Sequence, residues 1–128
     1  MSYLFDTHAY LWLRGFPGRL PAKVLDLLVD TGQQGLISSV TPCEIAIKTG
    51  IGKLNGAALL VDFERRETTL GFSIANITIV QVIRSGLLPS YHRDPFDRLL
   101  IAQALELNVP ILSNERIFDS YGVQRIWD

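Results

Sequence analysis

The sequence predicts an α/β domain over residues 1–128, in which a five-stranded parallel sheet carries helices on both faces. Short apolar runs of strand length alternate with longer stretches whose apolar residues recur at helical spacing. No two of the runs are joined by a hairpin signal such as an exposed Asn-Gly, so crossover helices must connect them. The chain also has 128 residues, 48% of them apolar, enough to cover both faces of a sheet without disulfide or metal staples.

Taken in order, Ser2 to Phe5 is a buried first strand that stops at Asp6, and Ala9 to Leu13 follows as a brief helix broken by Gly15, Pro17 and Gly18. Leu20, Val24, Leu25 and Leu28 give an amphipathic helix over Pro21 to Asp30. Leu36 to Ser38 is the second strand, and Thr41-Pro42-Cys43-Glu44 opens the next helix. Asn55-Gly56 is a turn, Ala57 to Glu67 one helix, Phe72 to Ile74 a third strand, and Ile79 to Ser85 a short helix. Gly86 to Asp94 is a loop. Asp94 then caps a long helix with Pro95 at its first position and Phe96, Leu99, Leu100 and Leu107 on its apolar face. Val109 to Leu112 is a fourth strand, Glu115 to Tyr121 a helical turn, and Val123 to Trp127 a last, edge strand.

Charge and cysteine content narrow the function classes. Twelve Lys and Arg against 13 Asp and Glu leave a net charge of -1, so contact with a polyanion needs a local patch or a bound metal. Cys43 is the only cysteine, which excludes an intrachain disulfide and a thiolate zinc cage. Asp6 interrupts the apolar start too early for a signal peptide, and no apolar run nears the roughly 20 residues of a membrane span. A soluble, cytoplasmic protein is expected.

In a parallel sheet, ligands bind beyond the carboxyl ends of the strands. Asp6 ends the first strand, Glu44 follows the second, Asp97 lies in the first turn of the long helix, and Glu115 follows the fourth strand. Carboxylates brought to one rim repel one another unless a cation neutralises them. An oxygen-only set favours Mg²⁺ or Mn²⁺ over zinc. Such a cluster can position a water and stabilise a phosphodiester under in-line attack.

These residues carry a resemblance. Leu4-Phe5-Asp6-Thr7-His8, Ser39 to Lys48, His92 to Ala104 and Ile111 to Phe118 are collinear with the motifs of PIN-domain proteins, and in particular resemble VapC-type toxin ribonucleases. The resemblance implies a single PIN-like domain and a divalent-metal endoribonuclease that hydrolyses RNA phosphodiester bonds as the toxin of a toxin–antitoxin pair. It also implies a homodimer neutralised by a small antitoxin, with a toxin–antitoxin hetero-oligomer as its assembly. Carried over residue by residue, Asp6, Glu44 and Asp97 fall on the three central acidic positions, the expected metal ligands. The fourth position is usually Asp. Here the register of Ser113 and Phe118 puts Glu115 there, its carboxylate displaced by a methylene, about 1.5 Å. Glu115 then stands either as a direct ligand or as a group acting through water or on a second metal.

Local readings compete at each position. Asp6 could cap the helix near His8. Thr41 and Glu44 form a capping-box pattern with Pro42 at the first helical position, and Lys48 is a natural ion-pair partner for Glu44. Asp94 is expected to pair with Arg98 at the i,i+4 spacing, leaving Asp97 for the metal. Thr7, Thr41 and Ser113 could orient carboxylates or cap backbone. His8 and His92 lack a helix-face partner and are read as packing or surface residues. Cys43 is read as a buried core residue, since a neighbouring carboxylate disfavours a thiolate nucleophile. Arg14, Lys48, Arg93, Arg98 and Arg116 could hold phosphates. Tyr10, Trp12 and the helix from Pro21 pack the core or offer a strip to a partner peptide.

Two further functions remain open. One keeps the fold as an RNA- or peptide-binding protein with weak or no nuclease activity. The other is a receiver-type signalling domain, which needs an acidic pair after the first strand and a late Lys; the chain has Asp6-Thr7 and no Lys after Lys53.

Overall fold

Residues 1–128 are described in a computed structural model. Five strands, β1 (Ser2–Phe5), β2 (Gln34–Ser38), β3 (Ser73–Ala75), β4 (Ile111–Leu112) and β5 (Arg125–Ile126), form one sheet in the order β3-β2-β1-β4-β5. Every pairing is parallel. That order differs from the 2-1-3-4-5 order of receiver domains, which removes the signalling reading. No helix is long and apolar enough to cross a membrane.

The central strand shows why both faces are covered. Tyr3 and Phe5 point into one core, with Tyr10, Val24, Ile37 and Ile45, while Leu4 enters the other with Leu100, Ile101, Ile111 and Phe118. The strand period of two makes this division. One core packs under α1 (Thr7–Gly15), α2 (Ala22–Val29) and the middle of α3 (Val40–Gly50); the other packs under the start of α3 and α7 (Pro95–Leu107). Gly35 pairs with Tyr3 in the register of β1 and β2, and a β-carbon there would stand 2.6 Å from the Phe72 ring. A larger residue would push Phe72 off the sheet.

Local chemistry departs from the sequence reading at several points. The capping box expected at Thr41 and Glu44 does not form, because α3 begins two residues earlier, at Val40, and Ser39 supplies no side-chain cap. Thr41 and Glu44 are instead buried within the helix. A capping box does form at Thr78 and Gln81, opening α6 (Ile79–Leu87), which extends past Ser85. The predicted 57–67 helix splits into α4 (Ala57–Leu60) and α5 (Phe63–Thr69) at Asp62, whose φ of 50° is left-handed. Arg66 holds the break by donating to the Leu59 and Val61 carbonyls at 2.6 and 3.0 Å.

The break turns Glu67 inward, where it is fully buried. Tyr10 Oη donates to its Oε2 at 2.7 Å, Arg14 Nε at 2.9 Å and Arg66 Nε at 3.2 Å, and Arg14 Nη2 closes a fork on Oε1. Burial alone would raise the Glu67 pKa, but the hydrogen bonds from Arg14 and Tyr10 bring it below the ordinary glutamate value. Burial and then the hydrogen bond to Glu67 push Tyr10 up to about 12. Because the Glu67 pKa is lowered on folding, its contribution is present above the ordinary glutamate range and is lost as pH falls through the folded value. Glu67→Ala should cost about 3 kcal/mol in urea unfolding at neutral pH, the lower end for a broken buried pair, since it strands two partly buried cations. The difference between variant and parent should narrow as the pH falls below the ordinary glutamate range.

Candidate metal centre

The parallel sheet delivers its strand ends to one rim. Asp6 follows β1 directly, and its N–H donates to the Leu112 carbonyl at 3.0 Å, which locks the ends of β1 and β4 together. Glu44 lies in the second turn of α3, after β2. Ser113 and Glu115 follow β4. Asp97 comes from the first turn of α7. Asp94 caps α7 as its sequence position predicts, accepting from the Phe96 and Asp97 N–H groups at 2.8 and 3.2 Å. Its side chain is thereby committed to the backbone.

The carboxylates differ in what they already hold. Asp6 Oδ1 caps α1, accepting from Ala9 N–H at 2.7 Å. The cap occupies one of its two oxygens. Glu44 Oε2 meets Lys48 Nζ at 2.5 Å, the ion pair expected from the spacing. Glu44 Oε1, buried, has no hydrogen-bond partner, and neither have the buried hydroxyls of Thr7 and Thr41. Asp97 Oδ2 and Glu115 Oε2 both face His92 Nε2, at 2.8 and 3.3 Å. The ligand atoms of His92, Asp97 and Glu115 lie within 4.8 Å of one another. Asp6 and Glu44 are outside that tight group but share its field.

That field is unfavourable to charge. Burial pushes Asp6 up to about 7, and Glu115 and Glu44 add to the rise against the opposing Ser113 and Ala9 hydrogen bonds. Asp97 is raised to about 7 by burial and then by Glu115, Asp94 and Asp6, with His92 opposing. Repelling, partly desolvated carboxylates and an unpartnered buried glutamate oxygen are what a divalent cation would satisfy, so the residues present fit one. All-oxygen donors favour Mg²⁺ or Mn²⁺.

Several expectations are corrected here. Cys43 is exposed, because it lies on the outer face of α3 while its neighbour Glu44 faces inward. Asp94 does not pair with Arg98. The Arg98 guanidinium instead donates to the carbonyls of Ser85, Leu88, Pro89 and His92, gathering the end of α6 and the following loop. Arg14 is taken up by Glu67, which leaves Arg93 and Arg116 exposed and outside any ion pair. Ser113 Oγ accepts from Glu115 N–H at 3.0 Å, a local cap, while its hydroxyl also faces the Asp6 carboxylate. His8 is at the surface, 3.9 Å from Glu115 Oε1. His92 packs against Phe118 as expected, but it also touches two of the candidate acids. The only signal for it was its place just before the Asp94 cap, which a single sequence cannot distinguish from an ordinary loop histidine.

The family model of the PIN domain matches residues 3–124. No curated protein sequence matches. Among solved structures, VapBC2 from Rickettsia felis bound to a DNA fragment from their promoter is similar with a TM-score of 0.71 at 18% identity, covering 100% of each chain. DNA-bound VapBC from Salmonella typhimurium gives 0.71 at 15% identity over 98% of this chain and 97% of that one. VapBC-1 from nontypeable Haemophilus influenzae gives 0.69 at 16% identity, again over 98% and 97%.

If the cluster holds a cation, Mn²⁺ at about a hundredfold over its Kd should stabilise the parent chain by about 2.7 kcal/mol. Asp97→Asn should abolish that gain. Without metal the sign reverses. An aspartate with a raised folded pKa destabilises the fold increasingly from its unfolded value, 3.8, up to about 7. Metal-free Asp97→Asn should therefore melt above the parent at pH 8, and the gap should shrink toward pH 4 in thermal scans.

Proposed function

The chain belongs to the PIN-domain family, and we propose that it is a VapC-type toxin, a divalent-metal-dependent endoribonuclease. The observation that carries this reading is the convergence of Asp6, Glu44, Asp97 and Glu115 on one rim, with a buried glutamate oxygen left unpartnered. In the proposal Asp6, Glu44 and Asp97 hold Mg²⁺ or Mn²⁺. When bound, that ion lowers the pKa of a water and offsets charge on the phosphodiester. The protein supplies the remaining parts. Asp6 stays fixed by its bond to Ala9, and Lys48 holds one oxygen of Glu44. Glu115, partly exposed, faces the solvent side of the cluster, where a water can be oriented. Arg93 and Arg116, exposed and outside any ion pair, are the cations available to RNA phosphates.

Two partners belong to the same reading. Likeness to VapBC structures supports a small antitoxin. A groove of about 370 Å³ beside α1, lined by Leu11, Trp12, Phe16 and Leu59, leads to a second hollow of about 330 Å³ containing Glu44 and Lys48. A peptide in this groove would end against the cluster and block it. A homodimer has its own available face: Ile79, Val80, Ile83 and Leu87 of α6 are exposed, Ile79 and Leu87 at 79% and 80%. A row of aliphatics this open is costly for a monomer.

A second reading, a PIN-fold binder without nuclease activity, draws on Glu115 standing where Asp is expected and on the Lys48 contact that occupies one Glu44 oxygen. Purified protein incubated with total RNA and Mn²⁺ separates the two. Cleavage should fall by more than about 100-fold in Asp97→Asn, beyond the loss usual for residues that only support a ligand. Expression of the parent, but not of Asp97→Asn, should arrest growth. Metal binding without any RNA cleavage would sink the nuclease reading. Ile83→Glu on the α6 face should convert a sedimenting dimer to monomer while leaving the melting of the isolated protomer near the parent's, because Ile83 is exposed.

A further inference from the structure

His92 is the one side chain that contacts both Asp97 and Glu115, and its ring is held from several sides. Its backbone N–H donates to Tyr121 Oη at 2.7 Å, and its carbonyl accepts from Arg98 Nη1 at 3.0 Å. Tyr121 Oη in turn donates to the Pro89 carbonyl at 2.7 Å, and the imidazole packs on Phe118 with ring centroids 6.0 Å apart. Its Nδ1 accepts from the Asp94 N–H at 3.4 Å. An accepting Nδ1 places the proton of a neutral imidazole on Nε2. Nε2–H is then the donor shared by Asp97 Oδ2 and Glu115 Oε2. A donor has no lone pair to offer a cation, so proximity to two carboxylates does not make His92 a third ligand.

We propose that His92 is a positioning residue whose Nε2–H bridges Asp97 and Glu115 and sets the spacing at which they face a divalent cation. The proposal rests on the metal-dependent reading of the site. Two neighbouring carboxylates would otherwise swing apart, and Glu115, with one rotatable bond more than aspartate, has the most freedom to lose. Arg98 and Asp94 belong to the same arrangement. Both act on the loop before α7 that carries the imidazole, Arg98 through its carbonyls and Asp94 through its N–H. Supporting groups of this kind typically alter metal affinity 10–100-fold when removed.

The test uses the full chain and two readouts. Long-range ¹H–¹⁵N NMR of the metal-free protein, about two pH units above the ordinary histidine pKa of roughly 6.5, reads the tautomer of each of its two imidazoles. His92→Gln identifies the His92 signals. The Nε2–H form is expected for His92; an Nδ1–H form would overturn the proposal. Mn²⁺ affinity, measured by EPR titration, is expected to weaken about 10–100-fold in His92→Ala. His92→Gln, whose amide N–H reaches about as far as Nε2, should recover most of the loss. In a Glu115→Ala background the His92→Ala loss should shrink by at least about twofold, the lower end of coupling between touching residues. Equal losses in both backgrounds, or none in the parent, would overturn the bridge while leaving the metal reading intact. A parent chain that binds no Mn²⁺ would instead take down the metal reading and this proposal together. If His92→Ala does not fold, the tautomer and the His92→Gln affinity decide alone.

Discussion

Mutual repulsion among carboxylates at the ends of parallel strands is the constraint around which the site is arranged. Parallel pairing leaves no choice about where the loops after β1, β2 and β4 emerge, so Asp6, Glu44 and Glu115 reach one rim together. The start of α7 brings Asp97 to meet them. Burial is the larger cause that raises Asp6 and Asp97 to about 7, and the neighbouring carboxylates add to it. The surrounding contacts can be read as devices that tolerate this: a backbone N–H on Asp6, Lys48 on Glu44, and an imidazole between Asp97 and Glu115. Each offsets part of one charge, and none occupies Glu44 Oε1.

A second concentration of buried charge lies farther along α1, at Tyr10 and Arg14, and it is solved in the opposite way. Glu67 is fully enclosed yet completely paired by Arg14, Arg66 and Tyr10. There a carboxylate is held ionised by its own chain, and nothing is left for an outside ion. Burial of a carboxylate is therefore not in itself a sign of a binding site; the unmet oxygen is. The same comparison explains why Arg14, although close to the rim in sequence, is not available to a phosphate.

The loop before α7 links the site to the rest of the fold. Arg98 draws four carbonyls from the end of α6 and the following residues onto the first turns of α7, and Tyr121 ties the same loop to the turn before β5. His92 reaches the cluster because that loop is fastened on both sides. The exposed aliphatic face of α6 lies just before it in the chain, so a partner seated there would bear on the segment that carries His92.

The sequence by itself determined the fold class, the order of strands and helices, the Asp94 cap and the acidic residues at the strand ends. These are written in local patterns: apolar periods of two and 3.6, a cap residue followed by proline, and acids directly after apolar runs. Given parallel strands, the loops that carry Asp6, Glu44 and Glu115 emerge at the same edge of the sheet. Tertiary structure alone decided what each side chain touches. Tyr10 and Glu67 meet across 57 positions, Arg98 chooses four distant or nearby carbonyls over its helical neighbour Asp94, and His92 enters the cluster from a loop. The 57–67 helix breaks where its local pattern is continuous: Arg66 takes up the Leu59 and Val61 carbonyls at the break, and Glu67 pairs across the core with Tyr10 and Arg14. A hydrogen bond is chosen among all groups that folding brings within reach. Sequence spacing reports only the groups on the same turn.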